Sequence, residues 1–200
     1  MKKIFVLVAV TIMGVVNVNA QSGYEDTTHE IGVSIGEMSN SKWVSVADFM
    51  GTTIFLIGNV KYENGSFTGP ISVEYFYHYT PVVNLGAIAV FAQESKDIVI
   101  NGDKSGDAKN TYLTVLPAAK FNWLRTKNFG MYSKLAAGLT YMSRKEDYKK
   151  DHENQSDSKF FFSWQISALG MEAGSENVRG FLEFGVGEQG MALIGLRYKF

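Results

Sequence analysis

The strongest constraint on this chain is a period of two. Between residues 69 and 79, Ile71, Val73, Tyr75, Tyr77 and Tyr79 alternate with Ser72, Glu74, Phe76 and His78. An extended backbone therefore puts an aliphatic and aromatic set on one face and a mostly polar set on the other. Residues 159–170 repeat the pattern, with Phe160, Phe162, Trp164, Ile166 and Ala168 on one face and Ser163, Gln165 and Ser167 on the other. Six further blocks follow the same rule, at 30–36, 83–94, 111–122, 129–144, 178–187 and 191–200. Most are about ten residues long, the length at which a tilted strand crosses a bilayer.

A soluble barrel or sandwich would also alternate, but its outer face would be polar and rich in charge. Here the apolar face is broad and aromatic, and the polar face carries few charges per strand. A mean hydropathy of -0.05 with 20 glycines and 14% aromatic residues suits a wall that turns one face to lipid and the other to a polar interior. An even strand number lets an antiparallel meander close its first strand on its last. Closure matters in hydrocarbon, where every unsatisfied backbone group costs several kcal/mol. The expected fold is all-β, an eight-stranded antiparallel transmembrane β-barrel with a short helix in its first extracellular loop.

That helix is expected at residues 42–60, where Trp43, Val46, Ala47, Met50, Ile54 and Ile57 recur at near-helical spacing before Gly58 and Asn59. The alternative makes the segment two more strands, 43–49 and 52–60, and the barrel ten-stranded. Connections at 80–82, 123–128 and 171–177 are short, as periplasmic turns are. Those at 38–67, 95–110 and 145–158 are long, as extracellular loops are. The last outer hairpin, at 188–190, is tight.

At the amino end, Lys2 and Lys3 precede an apolar run over 4–16 and a small-residue site at Val18-Asn19-Ala20. This pattern predicts a secretory signal peptide, residues 1–20, cut after Ala20, with 21–200 as the barrel domain. The run falls short of the roughly 18 to 20 apolar residues of a spanning helix. Cysteine is absent, which removes disulfides and thiolate metal sites. Lys plus Arg is 19 against 20 for Asp plus Glu, so no basic field invites nucleic acid.

Strand parity turns Glu30, Glu74, Lys120, Lys134, Glu183, Arg197 and Lys199 inward. Eight strands enclose a space that side chains can fill, so these charges are expected to pair in a packed lumen, with Glu183 and Arg197 as the first pair. Ser72, Glu74 and His78 share a face but are strung along one strand at roughly 3.4 Å per residue, too far apart for a catalytic relay. His29 and His152 lack metal-ligand spacing, and Asp97, Asp103 and Asp107 fit no calcium loop. No metal, cofactor or enzymatic activity is expected. Residues 144–159 mix Arg144, Lys145, Lys149, Lys150 and Lys159 with acids. Solvation is the plain reading, and bridging to lipopolysaccharide phosphates or divalent cations the sharper one.

The last eight residues, Leu193-Ile-Gly-Leu-Arg-Tyr-Lys-Phe200, place Gly195, Tyr198 and Phe200 in the spacing of a closing outer-membrane strand. Leu193 stands where such strands usually have a polar residue. Over its mature length the chain resembles the family of small eight-stranded outer-membrane β-barrel proteins of Gram-negative bacteria. The resemblance implies that Gly195, Tyr198 and Phe200 are an insertion signal for the barrel assembly machinery. It also implies export to the cell outer membrane, contact with outer-membrane lipid and lipopolysaccharide, and a structural or surface-interaction role with a surface partner the sequence does not specify. A narrow pore for small or apolar solutes is the alternative, and a lipid-modifying enzyme the second alternative.

Overall fold

The computed structural model describes residues 27–37, 60–100, 103–148 and 155–200. They form eight strands: β1 (His29–Glu37), β2 (Val60–His78), β3 (Val83–Ile100), β4 (Asp103–Arg125), β5 (Phe129–Tyr148), β6 (Gln155–Gly174), β7 (Val178–Gly187) and β8 (Ala192–Lys199). Each pairs antiparallel with the next, and β8 returns to β1 from Glu30↔Lys199 to Glu37↔Ala192, closing the barrel. This is the eight-stranded meander that the alternation predicts. β1 pairs directly with β2, from His29↔Tyr77 to Ile35↔Ile71, so the ten-strand alternative has no place in the wall. The expected loop helix, with Trp43, Val46, Met50, Ile54 and Ile57, and the expected signal peptide lie outside the described residues.

The two faces divide as the period of two requires. Val33, Ile194 and Leu196 are more than half exposed outward, whereas Glu74 and Lys134 are fully buried inward. In water this arrangement would be inside out; with hydrocarbon as the outer solvent it is the stable one. Aromatic rings edge the apolar band. His29 stacks on Tyr75 and Phe200 at centroid separations of 6.0 and 5.6 Å, and Tyr198 stacks on Phe200 at 5.8 Å, all beside the β1–β8 seam. Tyr141 and Phe160, 5.0 Å apart, mark the other edge.

The three short turns use one device. In each, the backbone N–H of a hydroxyl residue donates to the carbonyl of the residue three positions on, and its side-chain oxygen accepts from that residue's N–H. The pairs are Thr80 with Val83 at 2.9 Å, Thr126 with Phe129 at 3.1 Å and Ser175 with Val178 at 3.0 Å. The side chain thus satisfies a donor that the end of the ladder would leave open.

The strand lengths correct the sequence reading. Within the segments 38–67, 95–110 and 145–158, expected as loops, the described residues are ladder: β2 pairs β3 up to Val60↔Ile100, β3 pairs β4 up to Ile100↔Asp103, and β5 pairs β6 up to Glu146↔Gln155. Above the bilayer both faces are wet, so alternation disappears from the sequence while backbone pairing continues. The turn expected at 171–177 shrinks likewise, because β6 runs to Gly174. On the remaining side the wall stays low, since β6 and β7 stop pairing at Gln165↔Gly187 and β1 and β2 at Ile35↔Ile71.

Candidate functional site

Three interior aromatics set the floor of the lumen. Phe76, Tyr132 and Phe181 each lie cross-strand from a glycine: Gly86, Gly170 and Gly195 respectively. A Cβ on Gly195 would fall 2.7 Å from Cε1 of Phe181, and one on Gly170 would meet the Tyr132 ring. Glycine is required there because the ring lies flat across the neighbouring strand.

Around these rings the charged side chains meet. Arg197 is the hub. Its Nη1 donates to Glu172 at 2.5 Å and its Nη2 donates to Glu74 and, at 3.2 Å, to the Tyr132 hydroxyl. Its guanidinium sits 4.4 Å from the Phe181 ring centre and 4.9 Å from that of Tyr132. Lys134 donates to Glu74 at 3.0 Å and to Glu183 at 2.8 Å, and Tyr132 donates to Glu183 at 2.7 Å. Lys199 reaches Glu172 at 2.6 Å, and Lys120 pairs with Glu30 while lying 4.8 Å from the Tyr132 ring centre. Each charge of this network thus faces an opposite charge from another strand, which makes ionised groups tolerable in a dry interior.

The seven charges that parity turns inward, Glu30, Glu74, Lys120, Lys134, Glu183, Arg197 and Lys199, therefore stand in one buried cluster. The pairing expected first, Glu183 with Arg197, is present as the longest of the Arg197 Nη2 contacts. Arg197 Nη2 lies 3.9 Å from Glu183, and its short contacts are to Glu74 and Glu172. Register explains this: Arg197 opposes Arg179 on β7, and Glu183 opposes Leu193. Sequence reasoning missed two members. Glu172 was hidden in an expected turn, while Arg179 was visible by its parity with Phe181 and Glu183. Arg179 closes the short-turn end, donating to Glu172 at 2.8 Å and to the carbonyls of Thr126, Lys127 and Ser175 at 3.0, 3.1 and 3.2 Å. His78 contacts Glu30 at 3.2 Å and the Thr27 carbonyl at 2.8 Å, so Ser72, Glu74 and His78 assemble no relay.

The upper lumen is built differently. One wall is an apolar cluster of Ile88, Val90, Leu116, Ala118 and Ala136 above Phe76. Across it runs a chain of hydroxyls: Thr114 and Thr140 are 2.6 Å apart, Thr140 and Ser163 2.6 Å, and Thr114 donates to Glu188 at 3.2 Å. Glu188 and Gln189 belong to the β7–β8 turn, which is tucked into the barrel. The Gln165 amide clamps it, accepting from the Gln189 N–H at 2.9 Å and donating to the Gly190 carbonyl at 3.2 Å. The turn and the ion network together fill the lumen at two levels.

Above the bilayer, cross-strand register sets several like-charged residues opposite one another. Glu63, Asp97, Asp107 and Asp147 are successive partners across β2, β3, β4 and β5, and Lys109 opposes Lys145 two residues nearer the membrane. Gly195 is inward against Phe181, whereas Tyr198 and Phe200 are outward and about half exposed at the short-turn edge.

No family model matches the sequence, and no curated protein matches it. Among solved structures, the barrel is similar to Ail, the attachment invasion locus protein of Yersinia pestis, at 16% identity over 87% of this chain and 97% of that one, with a TM-score of 0.45. It is similar also to Ail in complex with the heparin analogue sucrose octasulfate, at 15% identity, the same coverage and a TM-score of 0.41. Likeness of this degree carries neither ligand nor activity across.

Proposed function

We propose that this barrel is a non-enzymatic surface-interaction protein of the cell outer membrane, and that the tall β2–β6 wall is its binding element. One observation carries the reading: five adjacent strands continue as a paired sheet past the apolar band while β7, β8 and β1 stop short. Among the described residues, nothing pairs with the β7-facing edge of β6 from Gln155 to Ser163. An open edge offers backbone donors and acceptors to an added strand, and charged side chains nearby keep it from pairing with its own kind. The filled lumen supports a role outside it rather than a pore, and among the described residues Ser72, Glu74 and His78 assemble no relay for acyl chemistry.

In this reading residues 1–20 direct export and the barrel assembly machinery reads Gly195, Tyr198 and Phe200. Outer-membrane lipid and lipopolysaccharide then surround the apolar band. The test compares cells displaying the intact barrel with cells displaying a variant in which β3 and β4 are joined by a two-residue turn at Gln93↔Thr111. Retention on a surface coated with mixed extracellular protein should fall in the variant, and the purified barrel should give no steady conductance in planar bilayers. Equal retention, or reproducible unit conductance, would remove this reading.

A further inference from the structure

At the short-turn end of the barrel the His78 imidazole is held between groups of opposite character. Its Nδ1 lies 2.8 Å from the Thr27 carbonyl, and its Nε2 lies 3.2 Å from Oε2 of Glu30. A carbonyl and a carboxylate can only accept, so the two contacts together require a proton on each ring nitrogen. A third group approaches the same Nδ1: Arg125 Nη2, at 3.3 Å, which can only donate. Arg125 is held there by its other nitrogen, Nη1, which donates to the Pro81 carbonyl at 2.7 Å. Nδ1 thus stands between an acceptor and a donor and serves one of them at a time. Glu30 of β1 and Arg125 of β4 are the charges at the ring itself. Lys120 and Lys199 act on Glu30, Glu172 and Arg179 act on Arg125, and neutral Asn84 of β3 is the cross-strand partner of His78.

We propose that His78 is a proton-operated latch on the chain that enters β1. Doubly protonated, the ring donates to the Thr27 carbonyl and to Glu30. When one proton leaves for water at the barrel mouth, a single nitrogen keeps its hydrogen. Were that Nδ1, a bare Nε2 would face the Glu30 carboxylate and the Nδ1 hydrogen would face Arg125, two repulsive contacts. With the hydrogen on Nε2, the Glu30 bond stays and the Nδ1 lone pair accepts from Arg125, while the Thr27 carbonyl loses its donor. The release stops at Thr27. The next anchors, His78 N–H to the Thr28 carbonyl at 2.8 Å and Thr28 N–H to the Phe200 carbonyl at 3.1 Å, are backbone bonds that no titration removes, so the barrel stays closed. Histidine is the side chain whose charge ordinarily changes between about pH 5 and 8, so the latch follows the acidity of the fluid at this end. None of this depends on what the tall wall binds.

The chain has no cysteine, so one label can be placed without competition. Thr28, exposed beside the latch, is changed to Cys and carries a nitroxide, and the refolded barrel in lipid vesicles is scanned from about pH 5 to 8.5. The label should pass from a restrained to a mobile spectrum as pH rises. Nitrogen-15 spectra of the imidazole should show His78 losing its proton at the same midpoint and keeping the remaining one on Nε2. His29→Gln should leave the transition in place, and His78→Gln should abolish it. A label whose mobility does not change with pH overturns the proposal, as does a neutral His78 that keeps its hydrogen on Nδ1. A transition that survives His78→Gln, or that disappears with His29→Gln, overturns it too. Heat-modifiable gel migration confirms that each variant is folded, and if His78→Gln is not, the midpoint and tautomer of the unaltered ring decide.

Discussion

At two heights of the same wall, charge is used in opposite ways. In the ion network inside the bilayer each charge is buried and lies against an opposite charge on another strand, as Glu74 does against Arg197, 123 residues away. Above the bilayer the same strands also set like charges opposite one another, Lys109 opposite Lys145 and Asp107 opposite Asp147, beside mixed rungs such as Arg144 opposite Asp157. The difference is one of dielectric. A dry lumen makes an unmatched charge costly, so pairing is compulsory there. Water and salt weaken repulsion between exposed groups to tenths of a kcal/mol, so stability leaves the sign pattern of the upper wall open to selection for contact with something else.

The comparison breaks most visibly at its hub. Arg197→Leu would leave Glu74 and Glu172 buried with fewer partners, and unfolding in urea from lipid vesicles, followed by gel mobility, should show a loss of about 3 to 5 kcal/mol. Adding 1 M salt should leave most of that loss in place. Gly170→Ala tests shape at the same depth: the new methyl meets the Tyr132 ring, and the cost should be about 1 to 3 kcal/mol. Gln165→Leu removes the clamp on the β7–β8 turn and leaves the buried Gln189 N–H and Gly190 carbonyl without their partner. A loss of about 1 to 3 kcal/mol is expected, with faster amide exchange in the turn. In the upper wall, Lys145→Glu converts a like-signed rung to an opposite-signed one and should stabilise by about 0.2 to 1 kcal/mol, an effect that 1 M salt erases. If Lys145→Glu cost as much as Arg197→Leu, the contrast between the two heights would be lost.

The same contrast explains what was legible in the sequence. Strand number and facing could be read wherever one face met lipid, because there a slip of one residue would bury the wrong set. β7 is the clearest instance: its bounds and its inward Glu183 follow from alternation alone. Where both faces meet water that signal stops, which is why 95–110 looked like a loop while the chain continued as β3 and β4. Pairing inside the lumen is harder still. Arg197 finds its partners on β2 and β6, across the barrel, and their heights depend on bulges such as those at Tyr132/Lys134 and Ser167/Leu169 that no local pattern announces. Glycines cross-strand from Phe76, Tyr132 and Phe181 were the available clue to where the interior rings lie.

The seam between β1 and β8 has a consequence for how this molecule is made. Its first and last strands are neighbours, joined by bonds such as those from Thr28 and His29 to the Phe200 carbonyl at 3.1 and 2.9 Å. Until both have arrived, every intermediate presents two raw backbone edges to a solvent that cannot hydrate them. The cost of that exposure falls on the whole circumference rather than on one strand, and the contacts that end it are among the longest-range in the chain. Assembly is therefore all-or-none in character: a chain shortened by its last few residues would lose the enclosure itself, and with it the dry interior in which its ion pairs are stable.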